Sequence, residues 1–165
     1  MTPLPFDPIA EARRQWQARW GEEPAQPMAA VTSIMRAQQI LLAELNAMLS
    51  EHGLTFARYE ALVLLTFSSR GSLPLGKMGE RLQVHPTSVT SIVDRLEAAG
   101  LVARKPHPED GRAVHAEITP AGRDLVEEAT KVLLEADFGL GALDDAGLRA
   151  LSELLRPVRK AAGDY

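Results

Sequence analysis

The chain has 165 residues, no cysteine, 45% hydrophobic content and a formal net charge of −4. That length suffices for one compact domain, or for two small lobes sharing a core. Disulfides and thiol chemistry are excluded, no apolar run is long enough to span a bilayer, and the opening M-T-P-L-P-F-D lacks a basic-then-apolar signal pattern, so the sequence predicts a cytoplasmic protein with no membrane partner.

Residues 1–26 read as an N-terminal extension. After a proline-rich lead, Pro8 to Trp20 predicts a short helix with Ile9, Ala12, Trp16 and Trp20 near one stripe, and the two tryptophans read as its anchors on the body of the protein. Gly21 to Pro27 has the composition of a linker. From Pro27 to Glu51, Val31, Ile34, Leu41, Leu45, Met48 and Leu49 keep helical spacing, and His52-Gly53 closes the run. Thr55 is a good cap for the next helix, F-A-R-Y-E-A-L-V-L-L-T-F. Arg70-Gly71-Ser72 then turns the chain into its central segment.

Two short helical patterns follow. Leu75, Met78 and Leu82 form the first stripe, Gln83 to His85 interrupts it, and Val89, Ile92, Val93 and Leu96 form the second. Pro86 suits the first helical position, where its missing N–H would be unpaired anyway, and Gly100 suits a left-handed cap. Opposite the second stripe lie Thr87, Ser88, Thr90, Ser91, Asp94 and Arg95. Short hydroxyls allow a helix to approach a duplex closely, and the positive helix N-terminus favours phosphate nearby. Asp94 and Arg95 are open to two uses, contact with DNA or pairing with a wing or partner residue.

A hairpin comes next, from Leu101 to Lys105 and from Ala113 to Ile118, with Val114, Ala116 and Ile118 alternating against His115 and Glu117. Asp110-Gly111 supplies the turn signal, with Asp110 bracing either Arg112 or the turn itself. Arg104, Lys105, His107 and Arg112 make this finger basic, which suits phosphates or a minor groove. From Arg70 to His115 seven bases meet five acids, a balance of +2, whereas from Ala116 to Tyr165 six bases meet ten acids, a balance of −4. The acidity therefore lies outside the proposed reading head. Thr119 and Pro120 begin a helix running to about Asp137, Phe138 to Gly141 break it, and Asp144 or Asp145 starts the last one, with Leu148, Leu151, Leu154, Leu155 and Val158 as its stripe and Pro157 as a kink.

In order, the two-helix unit, G-L-V-A-R-K at 100–105, P-E-D-G-R-A-V at 108–114 and I-T-P-A-G-R at 118–123 resemble the MarR family of bacterial transcriptional regulators. The resemblance runs from about Pro27 to Lys160. It implies a mainly α fold with a small β-hairpin wing: a winged helix-turn-helix over residues 55–119 and a helical dimerisation lobe from 27–54 and 120–165. It also implies a homodimer that binds a pseudo-palindromic double-stranded DNA operator and is released by a small ligand; for this chain the expectation is a repressor with a small aromatic or anionic effector. Carried onto this chain, the DNA-binding set is Pro86, Thr87, Ser88, Thr90, Ser91, Arg95, Arg104, Lys105 and Arg112, with Asp110 and Gly111 in the wing turn. The effector would lie between lobe and winged helix, near Trp16, Tyr59, Glu60, Val63 and the facing stripe of the first long helix.

Catalytic signals are absent. No G-x-S-x-G, Gly-rich phosphate loop or H-E-x-x-H occurs, and the four histidines are scattered. The sequence predicts no enzyme, no cofactor and no metal site. The rival reading is a protein-interaction module that keeps the winged-helix fold without specific DNA binding, for which the net acidity speaks.

Overall fold

The computed structural model describes residues 3–106 and 114–165. The chain divides into two units, residues 1–44 and 45–165. Its helices are α1 (Pro8–Trp20), α2 (Glu22–Leu49), α3 (Phe56–Thr66), α4 (Leu75–Leu82), α5 (Pro86–Ala98), α6 (Pro120–Glu135) and α7 (Asp145–Ala161), with strands β1 (Ser72–Pro74), β2 (Val102–Pro106) and β3 (Val114–Ile118). Mainly helical, with a small antiparallel sheet, the fold agrees with the winged helix-turn-helix and helical lobe expected from the sequence.

In the first unit, Asp7 caps α1 by accepting from the Ile9 and Ala10 N–H groups at 2.9 and 3.3 Å, and Pro8 fills the first helical position. Gly21, at φ 91°, is the only break before α2. The expected linker over Gly21 to Pro27 is thus corrected, because the helix begins at Glu22. Pro24 falls in the first turn, where no N–H partner is lost, and Pro27 gives up a single intrahelical bond. Glu22 and Glu23 favour the positive helix end, and Glu22 accepts from Arg13 at 2.5 Å and Gln26 at 2.7 Å. Hydrogen bonding to Arg13 holds the Glu22 carboxyl below its ordinary value. No residue of α1 is buried; Trp16 and Trp20 pack on each other with ring centroids 4.5 Å apart.

The second unit holds the core. Leu49, Leu62, Leu65, Met78, Val89, Val93, Leu96 and Leu133 are fully buried, each burial worth about 1.5–3 kcal/mol before entropy is counted. Asn46 Oδ1 accepts from the Phe56 N–H at 2.8 Å and so satisfies a donor at the start of α3. Tyr59 Oη and Thr130 Oγ1, 2.9 Å apart, join α3 to α6. Gly79 lets α4 approach α5, since a Cβ there would meet Val89 Cγ2 at 3.2 Å and the Val84 carbonyl at 3.3 Å.

The sheet has the order β1-β3-β2 with both pairs antiparallel. β1 is an addition to the expected two-stranded hairpin. It places Leu73 opposite Ala116, and the Gly71 carbonyl just before it accepts from the Ile118 N–H at 2.8 Å. The T-P-x-G segment after β3 has a physical reason. Thr119 Oγ1 donates to the Gly100 carbonyl at 2.8 Å and accepts from the Gly122 N–H at 3.0 Å, Pro120 starts α6, and a Cβ on Gly122 would collide with the Leu101 carbonyl oxygen and stand 2.9 Å from Ile118 Cγ1. Only glycine lets α6 lie so close to the base of the wing. After α6, Asp137 and Phe138 take left-handed conformations, φ 46° and 53°, and break the helix where the sequence placed the break.

Candidate nucleic-acid interface

The geometry of α5 follows from one stripe and two caps. Val89, Val93 and Leu96 are buried, which turns Thr87, Ser88, Thr90, Ser91, Asp94 and Arg95 to the exposed face together with Pro86. At its N-terminus the cap is His85, whose Nδ1 lies 3.3 Å from the Thr87 backbone nitrogen and 3.1 Å from Thr87 Oγ1. The sequence marked His85 only as the last residue of the break between the two helical patterns. Thr90 spends its hydroxyl on the Pro86 carbonyl at 3.1 Å. Arg95 has no ion pair among the described residues.

Arg104 differs. Its guanidinium meets Asp94 Oδ1 at 2.5 Å and Glu97 Oε2 at 2.5 Å, and its backbone N–H donates to Glu97 Oε1 at 3.1 Å. Strand alternation explains this. Val102 is buried, so Arg104, two residues on and opposite Ala116, shares the sheet face that looks at α5. Hydrogen bonds from the Arg104 backbone and guanidinium hold the Glu97 carboxyl below its ordinary value. Burial works against the Arg104 charge, but the bonds to Asp94 and Glu97 outweigh it and leave the group more basic than usual. Of the two uses open to Asp94, the fold realises pairing with the wing. Glu97 was missed, although its signal was present: an acid one helical turn after Asp94 and just before the Gly100 turn back along the same face.

On the other face of β2, Lys105 Nζ meets Glu117 Oε1 at 2.6 Å. That bridge is exposed and weak, so Lys105 is free to exchange Glu117 for another anion. Asp110, Gly111 and Arg112 lie outside the described residues.

Next to this reading head is a cavity of about 690 Å³ lined by α3, α6, Leu82 at the end of α4, and Phe138. Tyr59, Glu60 and Val63 line it, whereas its second wall is α6 and no residue of the first long helix takes part. Trp16 belongs to the N-terminal unit and is not among the lining residues. Among the described residues no cluster of three or more His, Asp or Glu could hold a metal ion, and no helix is long and apolar enough to cross a membrane.

Comparison with known proteins matches this geometry to a family. The MarR family profile covers residues 57–114, from α3 through the start of β3. The crystal structure of Sco5413, a MarR family transcriptional regulator from Streptomyces coelicolor, is 59% identical, covers 85% of this chain and 97% of its own, and superposes with a TM-score of 0.80. The HTH-type transcriptional regulator MhqR of Bacillus subtilis is 29% identical over 76% of this chain and 86% of its own. BpsR of Bordetella bronchiseptica, whose DNA binding is regulated by 6-hydroxynicotinic acid, is 28% identical with a TM-score of 0.69, over 77% of this chain and 90% of its own. These likenesses are to transcriptional regulators and not to enzymes. The polar face of α5, the wing clamped to it and the extent of these matches lead to one conclusion: this chain belongs to the MarR family of transcriptional regulators.

Proposed function

We propose that the chain acts in the cytoplasm as a homodimer that binds a pseudo-palindromic DNA operator, represses transcription from it, and is released by a small molecule in the α3/α6 cavity. The observation that carries this reading is the exposed hydroxyl face of α5, held in register with the wing by Arg104. Thr87, Ser88, Thr90 and Ser91 read base edges or bond phosphates in the major groove, with Pro86 opening the helix that enters it. Arg95 and Lys105 meet backbone phosphates, and Arg112 reaches the minor groove. Arg104 is a brace and not a phosphate ligand, since two carboxylates already occupy its guanidinium.

Unmatched apolar surface supports the dimer. Leu154 and Val158 on α7 are 74% and 60% exposed, and Met35 on α2 is 54% exposed. A two-fold dimer requires half-sites about 34–36 Å apart, or a multiple of that. The effector reading rests on the cavity and on Leu82 in its wall. An occupant touching both Leu82 and α6 bears on the joint between α4 and α5, where Gln83 takes a left-handed conformation, φ 51°. A ligand shifts DNA affinity only to the extent that it prefers one position of that joint.

Fluorescence anisotropy against labelled fragments from upstream of the chain's own gene, at several salt concentrations and with scrambled competitor, tests this. Tight binding that weakens with salt, survives competitor and protects two half-sites is the expected result. If genome-wide selection also yields no preferred sequence, the protein-interaction reading replaces this one.

A further inference from the structure

The α3/α6 cavity has an unusual polar inventory. Its volume falls within the range of small-molecule sites, and its walls are mostly apolar, with Val63, Leu134 and Phe138 among them. Tyr59 and Thr130 use their hydroxyls on each other, and Thr66 donates its own to the Leu62 carbonyl at 2.9 Å. Three charged side chains remain in the lining: Glu60, Glu127 and Lys131. Glu127 and Lys131, one turn apart on α6, contribute one charge of each sign without an ion pair between them among the described residues, so with Glu60 the lining carries a net negative charge. Glu60 is left over. Solvent reaches it through the open mouth, it has no ion pair among the described residues, and the apolar surroundings push its carboxyl above the ordinary value.

We propose that this cavity selects a lipophilic cation, an aromatic amine whose ammonium group bonds to Glu60 while its rings lie against Val63, Leu134 and Phe138. The proposal rests on reading the cavity as the effector site and names the ligand class for it. It keeps the aromatic half of the expectation drawn from the sequence and drops the anionic half. An anion would be repelled by the partly desolvated Glu60 carboxylate and by the lining's net negative charge, whereas a cation is attracted to both. Because Leu82 shares the cavity, rings seated there also bear on the end of α4.

Three naphthalene compounds of nearly equal shape separate charge from hydrophobic fit: 2-naphthylmethylamine, 2-naphthylmethanol and 2-naphthoate. Isothermal titration calorimetry of the full chain at pH 7.5 is expected to show the amine binding at least tenfold more tightly than the alcohol, and the carboxylate more weakly than both. Glu60→Gln should reduce the amine to the level of the alcohol and leave the alcohol unchanged. Glu60→Lys should reverse the preference toward the carboxylate, a gain that misfolding could not produce. The proposal is overturned if the carboxylate binds wild type as tightly as the amine, if Glu60→Gln leaves amine affinity unchanged, or if none of the three binds at millimolar concentration. Anisotropy on DNA in the same samples keeps the two readings apart. Glu60-dependent amine binding that leaves DNA affinity unchanged supports the ligand class and sinks the effector role, whereas release of DNA by the carboxylate alone does the reverse.

Discussion

Two amphipathic helices of this protein end up in opposite conditions. α5 buries its apolar stripe, with Val89 1%, Val93 0% and Leu96 1% exposed, and presents hydroxyls to solvent. α7 has no buried residue at all, and Leu151, Leu154 and Val158 stand open. A finished polar face can wait in water for a polyanion, but an open apolar stripe gains free energy only when another surface covers it. Amphipathicity alone therefore does not say what a helix is for. The side left exposed, and its chemistry, does.

The sharpest way to break that contrast is to truncate the same residue type on each helix. Leu96→Ala removes a fully buried side chain and should cost about 2–5 kcal/mol in denaturant unfolding. Leu154→Ala should leave the fold of the single chain nearly unchanged, within about 0.5 kcal/mol, at a concentration where it is monomeric. Equal losses at the two sites would mean that α7 is packed as firmly as α5. The second effect, smaller but still large, is on assembly. Leu154→Glu should weaken the proposed dimer at least a hundredfold, about 2.7 kcal/mol, in sedimentation equilibrium; an unchanged association constant would remove α7 from the interface.

On the polar side, Arg95 and Arg104 differ in kind, and salt dependence separates them. Arg95→Ala should weaken operator binding several-fold and reduce the salt slope by about 1, because the proposed phosphate contact would be lost. Arg104→Ala should weaken it about tenfold with the slope unchanged, because a brace is lost and no counterion release goes with it. A lower slope for Arg104→Ala would make it a phosphate ligand after all.

The smallest effect lies in acid. In the folded chain the Glu97 carboxyl sits below its ordinary value of 4.5, so its contribution to stability is complete above that pH and fades as pH falls through the lower, folded-state value. Glu60 acts with the opposite sign, since its carboxyl is held high and protonation favours the fold. The informative quantity is therefore the difference between wild type and Glu97→Gln, which should narrow as thermal unfolding is followed from pH 6 down to pH 3. A constant difference would mean that Glu97 acts through packing and not through charge.

Much of this molecule was legible residue by residue, and the reason is that the signals were local. Helical spacing from Leu75 to Leu96, Pro86 at a first helical position, Gly100 in a left-handed cap and Thr119-Pro120 opening α6 each depend on a few neighbouring residues, and the fold realises each of them. Where the sequence misled, composition stood in for geometry. Two prolines near Gly21 suggested a linker, yet their positions in the first turns of α2 cost the helix little.

Tertiary structure decided the rest, since each remaining feature depends on residues far apart in the chain. A three-residue strand such as β1 is too short to show alternation, and only its pairing with β3 defines it. The cavity's second wall is α6, about 70 residues after α3, as the Tyr59 to Thr130 bond illustrates. Arg104 looked like a basic residue on a basic finger; the register that sets it opposite Ala116 and beside Glu97 makes it a clamp. Local patterns thus determined which helices form and where they stop. Strand register and helix packing decided which charges remain available, because a side chain's partners are set by the faces that meet and not by its neighbours in sequence.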